Sequence, residues 1–274
     1  MTSISGKFER FPMLSATFNA LRSRGEGALV VFVTAGDPDL ESFPKLLEAL
    51  AEGGADVIEV GLPFSDPIAD GPVIQASSQR ALDRGVTPGA VLEALARCKV
   101  EVPIVLMGYY NPILRRGLKE FAQAAKEAGV AGTIVSDLTP EESDAWIEAS
   151  RAAGLDTVFL AAPTSTDERI AAVAQRSSGF VYAVSRTGVT GSHQAAPPDV
   201  GALVARIRAH TEVPVCIGFG ISRPEHVAEM VKVADGAVVG SWLVNWLSEH
   251  WQAGAGYDAL VQAVRELKEA TKPQ

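Results

Sequence analysis

Glu59 and Asp70 are the residues whose types and positions could do chemistry. Glu59 interrupts the apolar run Val57-Ile58-Glu59-Val60. A strand of a parallel sheet is apolar on both faces, and an unpaired carboxylate buried there is costly. Such a group either finds an ion-pair partner on a neighbouring strand or works as an acid or base. Asp70 comes after Gly61 and Pro63 have broken the strand and the chain has turned back through Asp66. By position alone, with Gly71-Pro72 following, it serves equally as a helix cap. Asp66, before Pro67, reads as a turn or surface residue.

Other strand ends carry glycine. Gly218-Phe219-Gly220 and Gly240-Ser241 follow the seventh and eighth apolar runs, and Gly191 lies in the preceding loop. Glycine admits a phosphate close to backbone N–H groups, and a serine hydroxyl adds a donor, although glycines also serve plain turns. In a barrel of alternating strands and helices the loops after strands 7 and 8 are a frequent phosphate site. The missing residue types narrow the reaction. None of the eight lysines stands at a strand's C-terminal end, which removes the nucleophile of a Schiff-base aldolase. The four histidines (His193, His210, His226, His250) and two cysteines (Cys98, Cys216) show no metal-ligand spacing, so no metal is expected. A carbon–carbon cleavage here would have to run on carboxylate acid/base work alone, with a substrate that accepts a proton at carbon.

Eight short β-branched or apolar runs must position these groups: 29–34, 56–60, 102–107, 132–136, 157–161, 179–184, 213–217 and 236–239. Several follow a helix end marked by glycine, as in EGGADVIEV, EAGVAGTIV and AAGLDTVFL, the punctuation of repeated αβ units. Helix starts are legible at Thr87-Pro88, Thr139-Pro140-Glu141-Glu142, Ser165 to Glu168 and Ser222 to Glu225, the last three with capping-box spacing. Eight runs favour a closed barrel over an open sheet. The expectation is α/β, a single (βα)8 TIM-barrel domain over residues 1–274, with an extra N-terminal helix within 7–24 and additional helices near 75–83 and 242–251.

At 274 residues, 47% hydrophobic and 21% charged, the chain suits one large domain. The net charge of −9 disfavours nucleic acid, and no apolar stretch approaches membrane-span length. With no signal-like N-terminus, the expected setting is cytoplasmic.

FVTAGDP (32–38), EVGLPFSDPIADGPVIQ (59–75), LMGYYNP (106–112), SDLTPEE (136–142), APTST (162–166), SRTGVTG (185–191), GFGIS (218–222) and GS (240–241) fall in order at the strand ends. Together they resemble the tryptophan synthase alpha chain family over nearly the whole length. Departures are small: Thr139 stands where proline is common in the family, and Val31 where proline may precede the phenylalanine. The resemblance implies reversible cleavage of indole-3-glycerol phosphate to indole and glyceraldehyde 3-phosphate. It makes Glu59 and Asp70 the catalytic pair, Phe32, Met107, Tyr182 and Phe219 candidate walls of the ring site, and Gly191, Gly218, Gly220, Gly240 and Ser241 the phosphate site. It also implies a lid over 185–194 that brings Thr190 to Asp70. No cofactor belongs to this chain; pyridoxal phosphate is expected on a partner beta chain in an α2β2 heterotetramer, with Asp66 and Pro67 facing that partner. Rival readings are another phosphate-binding barrel isomerase or synthase, and a non-catalytic subunit that binds the phosphate ligand and only activates its partner.

Overall fold

In the computed structural model, which describes residues 14–184, 198–218 and 220–273, apolar side chains along each strand sort alternately into two clusters. One lies inside a closed barrel and the other between the barrel and its helices. The strands are β1 Ala28–Thr34, β2 Val57–Gly61, β3 Ile104–Gly108, β4 Val130–Val135, β5 Asp156–Ala161, β6 Val181–Val184, β7 Val215–Gly218 and β8 Gly236–Val239. All neighbours are parallel, and β8 returns to pair with β1. Twelve α-helices are described. Before β3 come α1 Leu14–Ser23, α2 Phe43–Glu52, α3 Pro72–Asp83 and α4 Pro88–Arg97. Between β3 and β7 lie α5 Tyr110–Arg116, α6 Leu118–Glu127, α7 Asp144–Ala153, α8 Asp167–Arg176 and α9 Pro198–Arg208. After β7 follow α10 Pro224–Val231, α11 Ser241–His250 and α12 Tyr257–Glu269.

The two-residue period assigns faces. On β1, Ala28 and Val30 point inward while Leu29, Val31 and Val33 meet the helices. On β2, Val57 points inward and Ile58 and Val60 outward, which leaves Glu59 inside the barrel. The inner cluster also holds Leu14, Phe18 and Leu21 of α1, with the Phe18 and Phe180 rings 6.0 Å apart. The helix therefore closes the N-terminal mouth of the barrel. Small residues make room for it: a Cβ at Gly179 would lie 2.6 Å from the Leu14 Cδ1 atom, and one at Gly132 3.1 Å from it.

Several expected boundaries move. β4 begins at Val130, before the expected residue 132, because a bulge beside Ile104 and Val105 leaves Ala131 without a partner. β2 and β7 each run on into their terminal glycine, and β3 starts only at Ile104, after Pro103. The Tyr110-Asn111-Pro112 segment, quoted above only as part of a strand-end motif, is the first turn of α5; proline is tolerated there, and Asp137 Oδ1 accepts the Tyr110 N–H at 2.7 Å. Thr139 opens a short 3-10 turn, Pro140–Glu142, and α7 starts only at Asp144. Thr166, not Ser165, caps α8 by accepting the Arg169 N–H, since the Ser165 hydroxyl already accepts the Ala162 N–H. Arg223, not Ser222, takes the N-cap position of α10.

Candidate active site

Glu59 is paired in register with Phe32 on β1 and Val105 on β3, and is 1% exposed. Its Oε2 atom has no hydrogen-bond partner among the described residues. Burial pushes its pKa up to about 8, with the negative charge of Asp70 adding to the rise. The ion-pair explanation for this carboxylate therefore finds no support: no cation is joined to Glu59 among the described residues.

Asp70 hangs over the same strand end on the loop between β2 and α3. Turn hydrogen bonds fold that loop, Ile68 N–H to the Asp66 carbonyl at 2.9 Å and Asp70 N–H to the Pro67 carbonyl at 3.1 Å. The Gln75 amide, one turn into α3, donates to the Asp70 carbonyl at 2.8 Å. Burial raises the Asp70 pKa to about 6, and a hydrogen bond from the Tyr109 hydroxyl opposes the rise. That hydroxyl also accepts the Ala69 N–H at 3.0 Å, and the Tyr109 ring stacks on Phe64 with centroids 4.9 Å apart. Tyr109 is a site residue to which the sequence assigned no role. Its place in a glycine-containing strand end was the available signal, but its function depends on two loops meeting.

The two carboxyl groups thus differ in the direction that matters. Near neutral pH Glu59 holds a proton and Asp70 is ionised. One group can give a proton while its neighbour stabilises positive charge.

Phe32 is buried beside Glu59, and a Cβ at Gly61 would lie 2.6 Å from its ring. Met107 and Tyr182 are half-buried and pack against the inner cluster. Although Tyr182 keeps some exposed surface, its hydroxyl is crowded by protein, and burial followed by the Glu59 charge raises its pKa well above the ordinary value. Gly218 has a local reason to be glycine, because a Cβ there would lie 2.5 Å from the Tyr182 Cε1 atom. Gly240 is different. Among the described residues the nearest neighbour of an added Cβ is Phe32 at 3.7 Å, an ordinary contact that displaces nothing. Gly240 is the N-cap of α11, whose first residue is Ser241, so backbone N–H groups and a hydroxyl lie at this helix start. Gly220 adopts a positive φ of 70°. Thr190, Gly191 and Phe219, and with them the expected lid over 185–194, lie outside the described residues. Among the described residues no three His, Cys, Asp or Glu side chains are grouped to hold a metal ion. Cys98 and Cys216 are buried free thiols.

A closed (βα)8 barrel carries a buried carboxyl pair at the end of its second strand and a glycine-bordered helix start after its eighth, an arrangement suited to acid/base catalysis by a barrel enzyme. The comparisons with known proteins agree. A family model described as tryptophan synthase alpha chain matches residues 18–272, and the chain belongs to that family. It is 49% identical to the tryptophan synthase alpha chain of Citrifermentans bemidjiense over 259 residues, covering 92% of this chain and 97% of the relative. The alpha chain of Solibacter usitatus is 47% identical over 253 residues, covering 92% and 95%. Among solved structures, Mycobacterium tuberculosis tryptophan synthase superposes with a TM-score of 0.87 at 37% identity, covering 95% of this chain and 98% of that one. The alpha subunit from Legionella pneumophila gives 0.86 at 35% identity, covering 94% and 97%.

Proposed function

We propose that Glu59 and Asp70 carry out the retro-aldol cleavage of indole-3-glycerol phosphate that membership of this family entails. The observation that carries the assignment is the pair of carboxyl groups with separated pKa values, about 8 and about 6, at the C-terminal end of β2. Protonated Glu59 gives its proton to C3 of the indole. Ionised Asp70 accepts a hydrogen bond from the ring N–H and stabilises the positive charge of the indolenine so formed. Glu59, now a carboxylate, assists removal of the proton from the side-chain hydroxyl next to the ring. As that oxygen becomes the aldehyde carbonyl, the bond from its carbon to C3 breaks and its electrons restore the indole. The proton balance is closed, since the one given to C3 is replaced by the one taken from the hydroxyl.

Phe32, Met107 and Tyr182 would wall the ring, together with Phe219, and the start of α11 at Gly240 and Ser241 would receive the phosphate with Gly191, Gly218 and Gly220. Thr190 would close on Asp70 from the loop before α9. The partner is a beta chain carrying pyridoxal phosphate, in an α2β2 heterotetramer. Ile68, 83% exposed beside Asp66 and Pro67, supports placing that partner over the β2 loop. No helix among the described residues is long and apolar enough to cross a membrane; a cytoplasmic setting is part of the proposal. The direct test is indole release from indole-3-glycerol phosphate by the purified chain, with and without a beta chain. Release in both, faster with the partner, is expected. Ligand binding without any release would return the chain to the role of a non-catalytic activator.

A further inference from the structure

The helix that follows the Asp70 loop, α3, is held to the barrel in an unusual way. α3 buries only Ser77, Ser78 and Ala81, whereas α2 buries Phe43, Leu46, Leu47, Ala49 and Leu50. No large apolar side chain of α3 is fully buried to fix its position. A row of polar residues on one face of the helix, Ser77, Arg80 and Arg84, meets the C-terminal end of β1 instead. The Ser77 and Thr34 hydroxyls are 2.6 Å apart and buried. Beyond them Asp37, whose side chain is 4% exposed, receives a two-pronged contact from Arg80, Nε to Oδ1 at 3.0 Å and Nη2 to Oδ2 at 2.6 Å. Arg84 adds Nη1 to Oδ1 at 3.3 Å.

We propose that Asp37, gripped by Arg80 and Arg84, is a positioning residue for Asp70, setting where α3 and the loop before it lie relative to Glu59. The inference rests on the assignment of Asp70 above. β1 is the strand next to Glu59, with Phe32 in register beside it, so a link from the end of β1 to α3 ties the two carboxyl groups to one frame. A fork of charge-assisted hydrogen bonds fixes angle as well as distance, which a hydrophobic contact does not. Gln75 passes that position to the loop through the Asp70 carbonyl. Small misplacements of a catalytic group are expensive, since on the order of 1 Å can cost about a hundredfold in rate.

The test compares Asp37→Asn and Arg80→Lys with the parent and with Asp70→Asn, assaying cleavage of indole-3-glycerol phosphate and hydrogen exchange of the peptide spanning residues 62–76. Asp37→Asn should lower kcat at least about tenfold and raise KM by a smaller factor, because a misplaced Asp70 is felt most where charge develops in the transition state. Exchange should quicken in 62–76 and stay as in the parent in the β5 and β6 peptides. Removing one partner of a buried ion pair is destabilising, so Asp37→Asn could lose its fold. Arg80→Lys keeps the charge but loses the fork, and should then show the same kcat loss and the same local exchange, to a smaller degree. A folded Asp37→Asn with kcat within twofold of the parent and unchanged exchange, beside an inactive Asp70→Asn, would overturn the positioning role and leave Asp70 in place. An Asp70→Asn of parental activity would instead overturn the assignment beneath it.

Discussion

In the proposed reaction Glu59 has two environments to satisfy, the apolar interior that keeps it protonated and the substrate that would take the proton. Glu59→Gln retains the shape and the hydrogen-bonding amide but has no proton to give, and cleavage should slow by about 10² to 10⁴. Retention of rate within a few-fold, in a steady-state indole assay, would remove Glu59 from the chemistry. The pH dependence follows from the same two groups. The proposed roles require Asp70 ionised, so activity should fall as pH drops through about 6, and Glu59 protonated, so it should fall as pH rises through about 8. A bell-shaped kcat/KM profile with limbs near those values is the expected outcome, and in Asp70→Asn the acid limb should vanish while the alkaline limb remains.

Helices and strand ends act as holders, and the glycines at them have distinct reasons. Gly218 leaves space for the Tyr182 ring, so a side chain there would displace Tyr182 whatever the phosphate does. An added Cβ at Gly240, at the start of α11, would clash with none of the described residues, so this position gives the cleaner experiment. Gly240→Val should weaken binding of glycerol phosphate at least about tenfold, measured by calorimetry, with the circular dichroism spectrum of the parent. At the opposite mouth, Leu14 is fully buried among inner residues of the barrel. Leu14→Ala should cost about 2–5 kcal/mol in urea unfolding, while kcat stays within twofold because the catalytic pair sits at the other end. The element-level pattern was readable because strands and helix ends write themselves locally, in β-branched runs and terminal glycines. α5 was hidden by Pro112, which signals a loop unless the first turn is known to begin at Tyr110. Asp37 was quoted within a motif but given no role, since its partner Arg80 lies 43 residues away and only the folded barrel brings them together. Tyr109 escaped for the same reason: the Asp70 loop reaches it only in three dimensions.

At the scale of the molecule, the buried carboxyl proposed to serve the reaction works against the fold. The Glu59 pKa is raised from 4.5 to about 8 on folding, so the folded protein binds a proton that the unfolded chain releases. Stability must therefore decline as pH rises between those values, by up to ~1.4 kcal/mol for each unit crossed. Glu59→Gln should melt higher than the parent at pH 8 and lose that advantage toward pH 5, as calorimetric scans would show. α1 gives the whole molecule a further property. With Leu14, Phe18 and Leu21 buried in the inner cluster, α1 fills the N-terminal end of the barrel below Glu59. The C-terminal rim is then the end from which substrate would enter. Release of one product ahead of the other becomes a question of traffic at that rim, so a partner seated there would control the order of departure without touching the chemistry below.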